Sequence, residues 1–123
     1  MKIVITGALG HIGSYISRDF ANKFINAEII LIDNISTQRY SSLFNMPKNG
    51  NYRFIQADIL EISLDEIIKG SNVVIHLAAI CDAANSFDNA KAVEENNFNK
   101  TKKIATACQK NKVKLITLSS TSV

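Results

Sequence analysis

A chain of 123 residues is long enough for one domain and too short for two of ordinary size. Hydrophobic residues make up 46% of it and charged residues 20%, with five Gly and one Pro, which excludes a disordered or a collagen-like chain. The formal net charge of +3 is a weak basic excess, compatible with a nucleic acid or with a small anionic ligand as partner.

Sequence signals for a membrane or a metal are not apparent. The apolar stretches are shorter than the roughly 18 residues needed to cross a bilayer, and the amino terminus has no apolar signal-peptide core. Cys81 and Cys108 stand in unlike contexts, without a CxxC pair or a nearby His pair. We therefore expect a cytoplasmic protein with reduced thiols, no metal site and no membrane partner.

The first half of the chain alternates between short β runs and a helical stripe. Residues 2–6 (KIVIT) predict a strand that ends in a Gly-rich turn. Apolar residues at a spacing of four then predict one face of a helix: Ile12, Ile16, Phe20 and Phe24. Residues 28–33 (EIILID) predict a strand buried on both faces, as parallel strands are, and residues 52–58 predict a third strand.

The second half continues the alternation. A Ser-x-x-Glu pattern at residues 63–66 predicts the capped start of a short helix that ends at Gly70. Residues 72–79 predict a fourth strand, a long helix follows to about Lys112, and residues 113–119 predict a fifth strand.

Five strands that alternate with helices predict an α/β fold with a doubly wound parallel sheet, most simply in the strand order 3-2-1-4-5. Ligands of such sheets bind at the carboxyl ends of the strands. In this chain those ends fall at residues 6–13, 33–36, 58, 78–81 and from 119 onward. Candidate functional residues are therefore expected in these five segments.

Three glycines follow the first predicted strand at a spacing of three. Gly7 would permit a sharp turn with positive φ, Gly10 would let the backbone approach a pyrophosphate, and Gly13 would let the helix pack closely on the strand. The start of the helix would then offer N–H donors and the positive end of its dipole to phosphates. The strand before, the helix after and an acidic residue twenty positions beyond favour a dinucleotide site over a turn without a ligand.

The acidic residue is Asp33, at the end of the second predicted strand. Its carboxylate can accept hydrogen bonds from both ribose hydroxyls of an adenosine, and its charge would repel the 2′-phosphate of NADP, so the sequence favours NAD. Arg39, in the following loop, could meet such a phosphate, although it comes six residues later. The alternative is an Asp that only opens a polar turn with Asn34.

Together these motifs resemble the extended short-chain dehydrogenase/reductase family, and within it the NAD-dependent sugar-nucleotide epimerases and dehydratases. The likeness covers the whole chain and is carried by TGALGHIG (6–13), DNIS (33–36), Asp58, HLAA (76–79) and SSTSV (119–123). It implies NAD as cofactor and a Rossmann-type sheet. Residues 1–123 would be the amino-terminal NAD-binding part of a longer protein, without its sixth strand and substrate-binding region. A nucleotide sugar as substrate and a homodimer or self-associating fragment are also implied.

The resemblance further implies which residues contact NAD. Those expected to line the pyrophosphate are Gly7, Gly10, His11, Ile12 and Gly13. Those expected at the adenosine are Asp33, Asn34 and Ser36 near the ribose, and Asp58 with Ile59 at the adenine. Those expected to run beside the cofactor are Leu77, Ala78 and Ala79. Asp58 has a second interpretation, because Glu61 three residues later completes a capping box.

The two histidines carry different expectations. His76 lies inside an apolar strand, where a buried and hydrogen-bonded side chain is commoner than a catalytic one, so we expect no acid or base role. His11 lies in the Gly loop, where it could be a spacer or touch a phosphate.

The long helix carries an apolar stripe and many lysines. The stripe consists of Val93, Asn97, Thr101, Ile104 and Cys108. The resemblance implies that Asn97 contacts backbone or cofactor, with Asn96 as an adjacent alternative. The Gly that the family usually has two or three residues later is replaced here by Asn99 and Lys100. A solvated helix face, not a nucleic-acid site, is predicted for Lys100, Lys102, Lys103, Lys110, Lys112 and Lys114.

Ser120 stands where the family has its catalytic Ser or Thr, which hydrogen-bonds the reacting sugar hydroxyl. The alternative is a hydroxyl-rich strand end that turns into a loop. The family abstracts a proton with a Tyr-x-x-x-Lys motif, but none of Tyr15, Tyr40 and Tyr52 has a Lys at the fourth following position. We therefore expect the chain to be inactive alone.

Three functions remain open on the sequence. The first is the NAD-binding portion of a nucleotide-sugar epimerase or dehydratase, whose oxidoreductive chemistry runs through bound NAD. The second is a non-catalytic dinucleotide sensor that uses the same sheet. The third is a structural or nucleic-acid-binding module that uses the lysine-rich helix and would bind in a salt-dependent manner. The motifs favour them in that order.

Overall fold

The computed structural model describes residues 1–80 and 86–119, and the side chains of residues 86–89 are outside this description. The elements in chain order are β1 (Lys2–Thr6), α1 (His11–Lys23), β2 (Glu28–Asp33), a 3-10 turn (Tyr40–Leu43), β3 (Asn51–Gln56), α2 (Asp65–Ile68), β4 (Val73–His76), α3 (Ser86–Asn111) and β5 (Lys114–Thr117). In the described ranges, no helix has both the length and the apolar character that a membrane crossing requires.

The strands form one parallel sheet in the order β3-β2-β1-β4-β5. This confirms the predicted α/β fold and strand order. The chain runs outward from β1 through β2 to β3, then crosses back to β4 on the other side of β1. The carboxyl ends of β1 and β4 therefore flank the point where the direction reverses, which is where ligands of such sheets bind.

Alternate residues of a strand point to opposite faces of the sheet. Both faces carry apolar side chains here, and helices cover both of them. The face beneath α1 buries Ile3, Ile5, Ile29, Leu31 and Ile75. The face beneath α2 and α3 buries Val4, Ile30, Ile32 and Val74 against Ile68, Ile104 and Cys108. All four central residues of β2 are buried, so the prediction of a strand covered on both faces is confirmed.

Helix α1 packs on the sheet through small residues and through the middle of the predicted apolar stripe. Its fully buried residues are Gly13, Ser17 and Ala21, and the partly buried Ile16 and Phe20 pack against the same core. The two ends of the stripe, Ile12 at 52% and Phe24 at 37%, are exposed. The stripe prediction is therefore confirmed at its centre and wrong at its ends, and the small buried side chains allow the helix axis to lie close to the strands.

The predicted capping box before α2 was also wrong. The residue at the helix start is Leu64, and no side chain caps the free N–H groups there. Leu64 is 3% exposed and packs in the core, so the burial of its side chain fixes the start of α2. Gly70 follows the helix with φ 73°, as predicted for its end.

Candidate functional site

The loop after β1 is held close to the loop after β4 by its first glycine. Gly7 has φ 65°, and a Cβ there would lie 2.7 Å from the backbone of Leu77 and Ala78. A Cβ on Gly13 would lie 2.3 Å from the carbonyl oxygen of Gly7. Both positions therefore require glycine because the protein's own backbone fills the space around them.

Gly10 differs from the other two glycines. Its φ is −66°, and a Cβ there would meet only the Gly7 carbonyl oxygen, at 3.3 Å. Among the described residues, a small side chain here would require the Gly7 carbonyl oxygen to shift by a few tenths of an ångström. The packing of the protein therefore demands glycine less strictly at residue 10 than at residues 7 and 13.

The first turn of α1 offers free donors beside Gly10. The N–H groups of His11, Ile12 and Gly13 donate to none of the residues that the structure describes. No side chain caps this helix start, and its first turn carries no acidic residue. Three N–H groups and the positive end of the helix dipole are thus directed at one place, an arrangement suited to phosphate oxygens.

Asp33 lies beside this loop at the end of β2. Its Oδ2 accepts the Leu9 N–H at 3.0 Å, and its Oδ1 accepts the Ile35 N–H at 2.8 Å. An ionised carboxylate has about four acceptor positions, so each oxygen keeps at least one for a further donor. The two backbone bonds fix the carboxylate in place while leaving it able to receive two hydroxyl groups.

Asp58 lies after β3 and is held by three groups. Its Oδ1 accepts the Leu60 N–H at 2.9 Å, and its Oδ2 lies 3.3 Å from the Asn34 amide nitrogen and 3.4 Å from Lys100 Nζ. Burial alone would raise the pKa of Asp58, but the Leu60 N–H, the Lys100 charge and the Asn34 amide outweigh it and lower that pKa below its ordinary value. The carboxylate is therefore ionised near neutral pH.

Lys100 was predicted on a solvated helix face, and that prediction was wrong. The residue is 5% exposed, and its side chain runs inward from α3 to Asp58. Burial of a lysine requires an anionic partner, which Asp58 provides. The spacing contains this signal, because residue 100 is three positions after Asn97 and four before the buried Ile104, on the same side of the helix.

His76 is buried in a chain of hydrogen bonds. The Thr101 hydroxyl donates to the Asn97 carbonyl oxygen at 3.0 Å, so toward His76 it can only accept. Nδ1 of the neutral ring is then the acceptor for the Thr6 hydroxyl, 2.7 Å away. His76 Nε2 then carries the ring proton and faces the Thr101 hydroxyl at 3.3 Å. Burial, helped by the charge of Lys100, lowers the pKa of His76, so the ring is neutral.

The side chain of Asn97 clamps the backbone that follows β4. Its Oδ1 accepts the Ile80 N–H at 2.8 Å, and its Nδ2 donates to the Ile80 carbonyl oxygen at 3.2 Å. In the described structure this amide contacts backbone, and Ala78 and Ala79 lie in the segment that it holds. The neighbouring Asn96 has a buried Oδ1 with no partner among the described residues.

Other predicted residues lie at the same edge of the sheet. The Ser36 N–H donates to Asn34 Oδ1 at 3.0 Å in an exposed turn. Ile59 is 3% exposed and packs in the core, so only its backbone is available to a ligand. Arg39, which the sequence placed in a following loop, reaches the start of α1, where its Nη1 lies 2.8 Å from His11 Nε2.

The remaining residues are three that the sequence analysis singled out and one that it missed. Ser120 and Cys81 lie outside the described residues. Sequence analysis missed Thr6, whose buried hydroxyl links β1 to β4. A hydroxyl at the end of an apolar strand is the signal that could have identified it. Cys108 is 2% exposed in the core, as predicted.

Comparison with known proteins places this geometry in a family. The model of the NAD dependent epimerase/dehydratase family matches residues 3–123. A dTDP-D-glucose 4,6-dehydratase from Dictyostelium discoideum is 34% identical over 117 residues, which cover 92% of this chain and 27% of that protein.

Solved structures give the same result. A UDP-N-acetylglucosamine 4-epimerase from Methanobrevibacter ruminantium M1, in complex with UDP-N-acetylmuramic acid, has a TM-score of 0.86 and 32% identity, covering 99% of this chain and 38% of that one. A UDP-glucuronic acid 4-epimerase from Bacillus cereus, in complex with UDP-glucuronic acid and NAD, has a TM-score of 0.86 and 30% identity, covering 100% and 41%. The chain thus spans between about a quarter and two fifths of the length of these relatives.

Proposed function

Because the chain belongs to the NAD dependent epimerase/dehydratase family, we propose that residues 1–123 are the NAD-binding part of a nucleotide-sugar epimerase or dehydratase. The observation that carries the proposal is the meeting of the Gly loop and Asp33, joined by the 3.0 Å hydrogen bond from the Leu9 N–H. Free N–H donors and a fixed carboxylate thereby face one edge of the sheet, as a pyrophosphate and a ribose require.

The residues present fit NAD at each of its groups. The N–H groups of His11, Ile12 and Gly13 would bind the pyrophosphate, and the open side of Gly10 gives it room. Asp33 would accept both ribose hydroxyls, and Asp58 would accept a donor from the adenine. Bound NAD would supply hydride transfer at its nicotinamide ring. The clamped segment after β4, with Leu77, Ala78 and Ala79, would run beside it.

Asp33 supports NAD over NADP as the ligand. Two backbone N–H groups hold its carboxylate. If that carboxylate accepts the ribose hydroxyls, its negative charge would oppose the charge of a 2′-phosphate. Arg39 lies at the start of α1 and contacts His11 rather than Asp33. Its position suits the pyrophosphate end better than the ribose.

The structure gives little support to a nucleic-acid-binding helix. Lys100 is buried, Lys103 donates to the carbonyl oxygens of Leu60 and Ile62, and Lys110 pairs with Asp65. These cations are already engaged within the protein, so they contribute less to an extended basic face. A dinucleotide sensor would use the same site as the proposed enzyme and differ only in turnover.

Calorimetric titration of the chain with NAD and with NADP tests the cofactor. We expect tighter binding of NAD, and a loss of about 1.5 to 3 kcal/mol in Asp33→Ala, because a hydrogen bond to a charged group is removed. Glu61→Ala, which removes an exposed carboxylate nearby, serves as the matched control. Equal affinity of the unmodified chain for NAD and NADP would remove the role assigned to Asp33.

The second arm of that experiment concerns Gly10. Gly10→Val is expected to abolish NAD binding while circular dichroism keeps its helical signal, because the branched side chain occupies the space of the pyrophosphate. Gly10→Ala is the graded control, since its single Cβ meets only one protein atom, at 3.3 Å. An unchanged dissociation constant in Gly10→Val would mean that the loop is only a turn.

Activity is expected to need more than this chain. We propose that Ser120 orients the reacting hydroxyl of the sugar, while the sequence lacks a Tyr-x-x-x-Lys pair to take its proton. Loss of a general base removes about 10² to 10⁴ in rate. Assays on UDP- and dTDP-sugars should show no turnover, and measurable turnover would assign the chemistry to other residues.

A further inference from the structure

We propose that Lys100 is a positioning residue of the dinucleotide site, which holds the Asp58 carboxylate turned toward the adenine. The inference rests on the proposed function and adds a residue to it. Lys100 belongs to α3, whereas the groups that contact NAD in the proposal lie on loops after the strands and in the first turn of α1. It would act on the ligand only through Asp58.

The ion pair between Lys100 and Asp58 is largely shielded from water. The side chain of Lys100 is 7% exposed and that of Asp58 is 24% exposed, with 3.4 Å between Nζ and Oδ2. An ion pair at the protein surface contributes little, because water screens it. A pair with one member almost fully covered is different, since removing its partner leaves a poorly solvated charge.

Lys100 completes a set of constraints from three different elements. Oδ1 of Asp58 is fixed by the Leu60 N–H within its own turn. Oδ2 is approached by the Asn34 amide from the loop after β2 and by Lys100 from α3. Without Lys100, the neutral and exposed Asn34 amide, 3.3 Å away, would be the one contact left on Oδ2 among the described residues. The rotation of the carboxylate would then be weakly determined.

The chemistry of the adenine ring provides a specific measurement. An ionised carboxylate only accepts hydrogen bonds, and the 6-amino group of adenine donates them. In nicotinamide hypoxanthine dinucleotide a carbonyl oxygen replaces that amino group and would face the carboxylate oxygen without a proton between them. A correctly held Asp58 should therefore favour NAD over the hypoxanthine analogue.

The experiment compares the affinities of both dinucleotides for the full chain and its variants by calorimetry. The unmodified chain should bind NAD about tenfold or more tightly than the hypoxanthine analogue, the range of one hydrogen bond to a charged group. Lys100→Met should lower NAD affinity about tenfold and reduce the preference to below about threefold. Lys100→Arg, which keeps the charge, should restore the preference.

Lys102→Met is the matched control, because it removes an exposed lysine two residues away on the same helix. It should change neither affinity nor preference. If Lys100→Met does not fold, Lys100→Gln takes its place in the comparison.

Three results would overturn the inference. A folded Lys100→Met that keeps the unmodified preference, or that weakens both dinucleotides equally, would leave Lys100 a purely structural residue. An unmodified chain that binds both dinucleotides equally well would remove Asp58 from the adenine. A chain that binds neither, together with silent Gly10 and Asp33 variants, would instead remove the proposed function itself.

Discussion

The two sides of the sheet differ in how completely they are covered. Strand β2 buries its four central residues between helices on both faces. In β5, Leu115 packs against the core beneath α3, whereas Ile116 on the opposite face is 46% exposed. The β1–β2 side therefore has its packing satisfied within the described chain, and the β5 side does not.

The proposed binding residues and the proposed catalytic residue follow different strands of this sheet. The Gly loop and Asp33 follow β1 and β2, on the covered side, and Asp58 follows the neighbouring strand β3, none of whose residues is fully buried. Ser120, the one proposed catalytic residue, comes after β5 in the sequence. Under the proposed function, most of the dinucleotide contacts therefore lie beside strands that are covered on both faces, whereas the proposed catalytic residue follows a strand whose Ile116 is exposed.

The largest expected effect concerns the covered side. Gly13→Ala should destabilise the fold by about 3 kcal/mol, because its Cβ would stand 2.3 Å from the Gly7 carbonyl oxygen and force α1 away from β1. Chemical denaturation followed by circular dichroism measures the change. Gly10→Ala is the control and should cost less, and equal losses would show that the close approach of α1 is not what the covered side depends on.

An intermediate effect concerns β4, which joins the two sides. The lowered pKa of His76 means that the unfolded chain binds a proton as pH falls below about 6.5, while the folded chain does not. Stability should therefore decrease from pH 6.5 toward the lower folded pKa, by at most about 1.4 kcal/mol per pH unit.

Denaturation at pH 7.5 and pH 5.5 tests this for the unmodified chain and His76→Gln. The variant should lose that part of the pH dependence. His11→Gln removes the other imidazole of the chain and should leave the contribution of His76 in place. A pH dependence unaltered by His76→Gln would mean that the buried ring is not the source.

The smallest expected effect on stability concerns a substitution in β5. The same substitution should clearly reduce self-association of the chain. An exposed apolar edge strand invites pairing with another chain, so the unmodified chain should self-associate. Ile116→Lys should reduce association while changing stability by less than about 0.5 kcal/mol. Sedimentation velocity at several concentrations measures it. Ile25→Lys alters a 73% exposed Ile outside the sheet and should leave association unchanged.

The sequence was most informative where one physical requirement dominated. Strands β1 and β2 were predicted with their observed limits, because an apolar run bounded by turn residues has few alternatives. The three later strands were all predicted to end too late, and β3 begins at Asn51, one residue before its predicted start. Leu77 and Ala78, for example, lie against the Gly7 turn and do not continue β4.

Residues whose environment depends on distant segments could not be predicted in the same way. Lys100 looks like one more lysine of a polar helix until Asp58, far away in sequence, is placed opposite it. Arg39 was considered only as a partner for a 2′-phosphate, whereas in the structure its Nη1 lies 2.8 Å from His11 Nε2 at the start of α1. Periodicity assigns a residue to a face, but it does not identify what that face meets.

The amide of Asn97 imitates a neighbouring strand. It accepts from the Ile80 N–H and donates to the Ile80 carbonyl oxygen, which are the two bonds that a peptide group in a β ladder would supply. One side chain thus extends the order of the sheet past the last residue of β4 without any further strand. In amide hydrogen exchange, Ile80 should therefore behave like an interior residue of a sheet, although it is 39% exposed and lies in a loop.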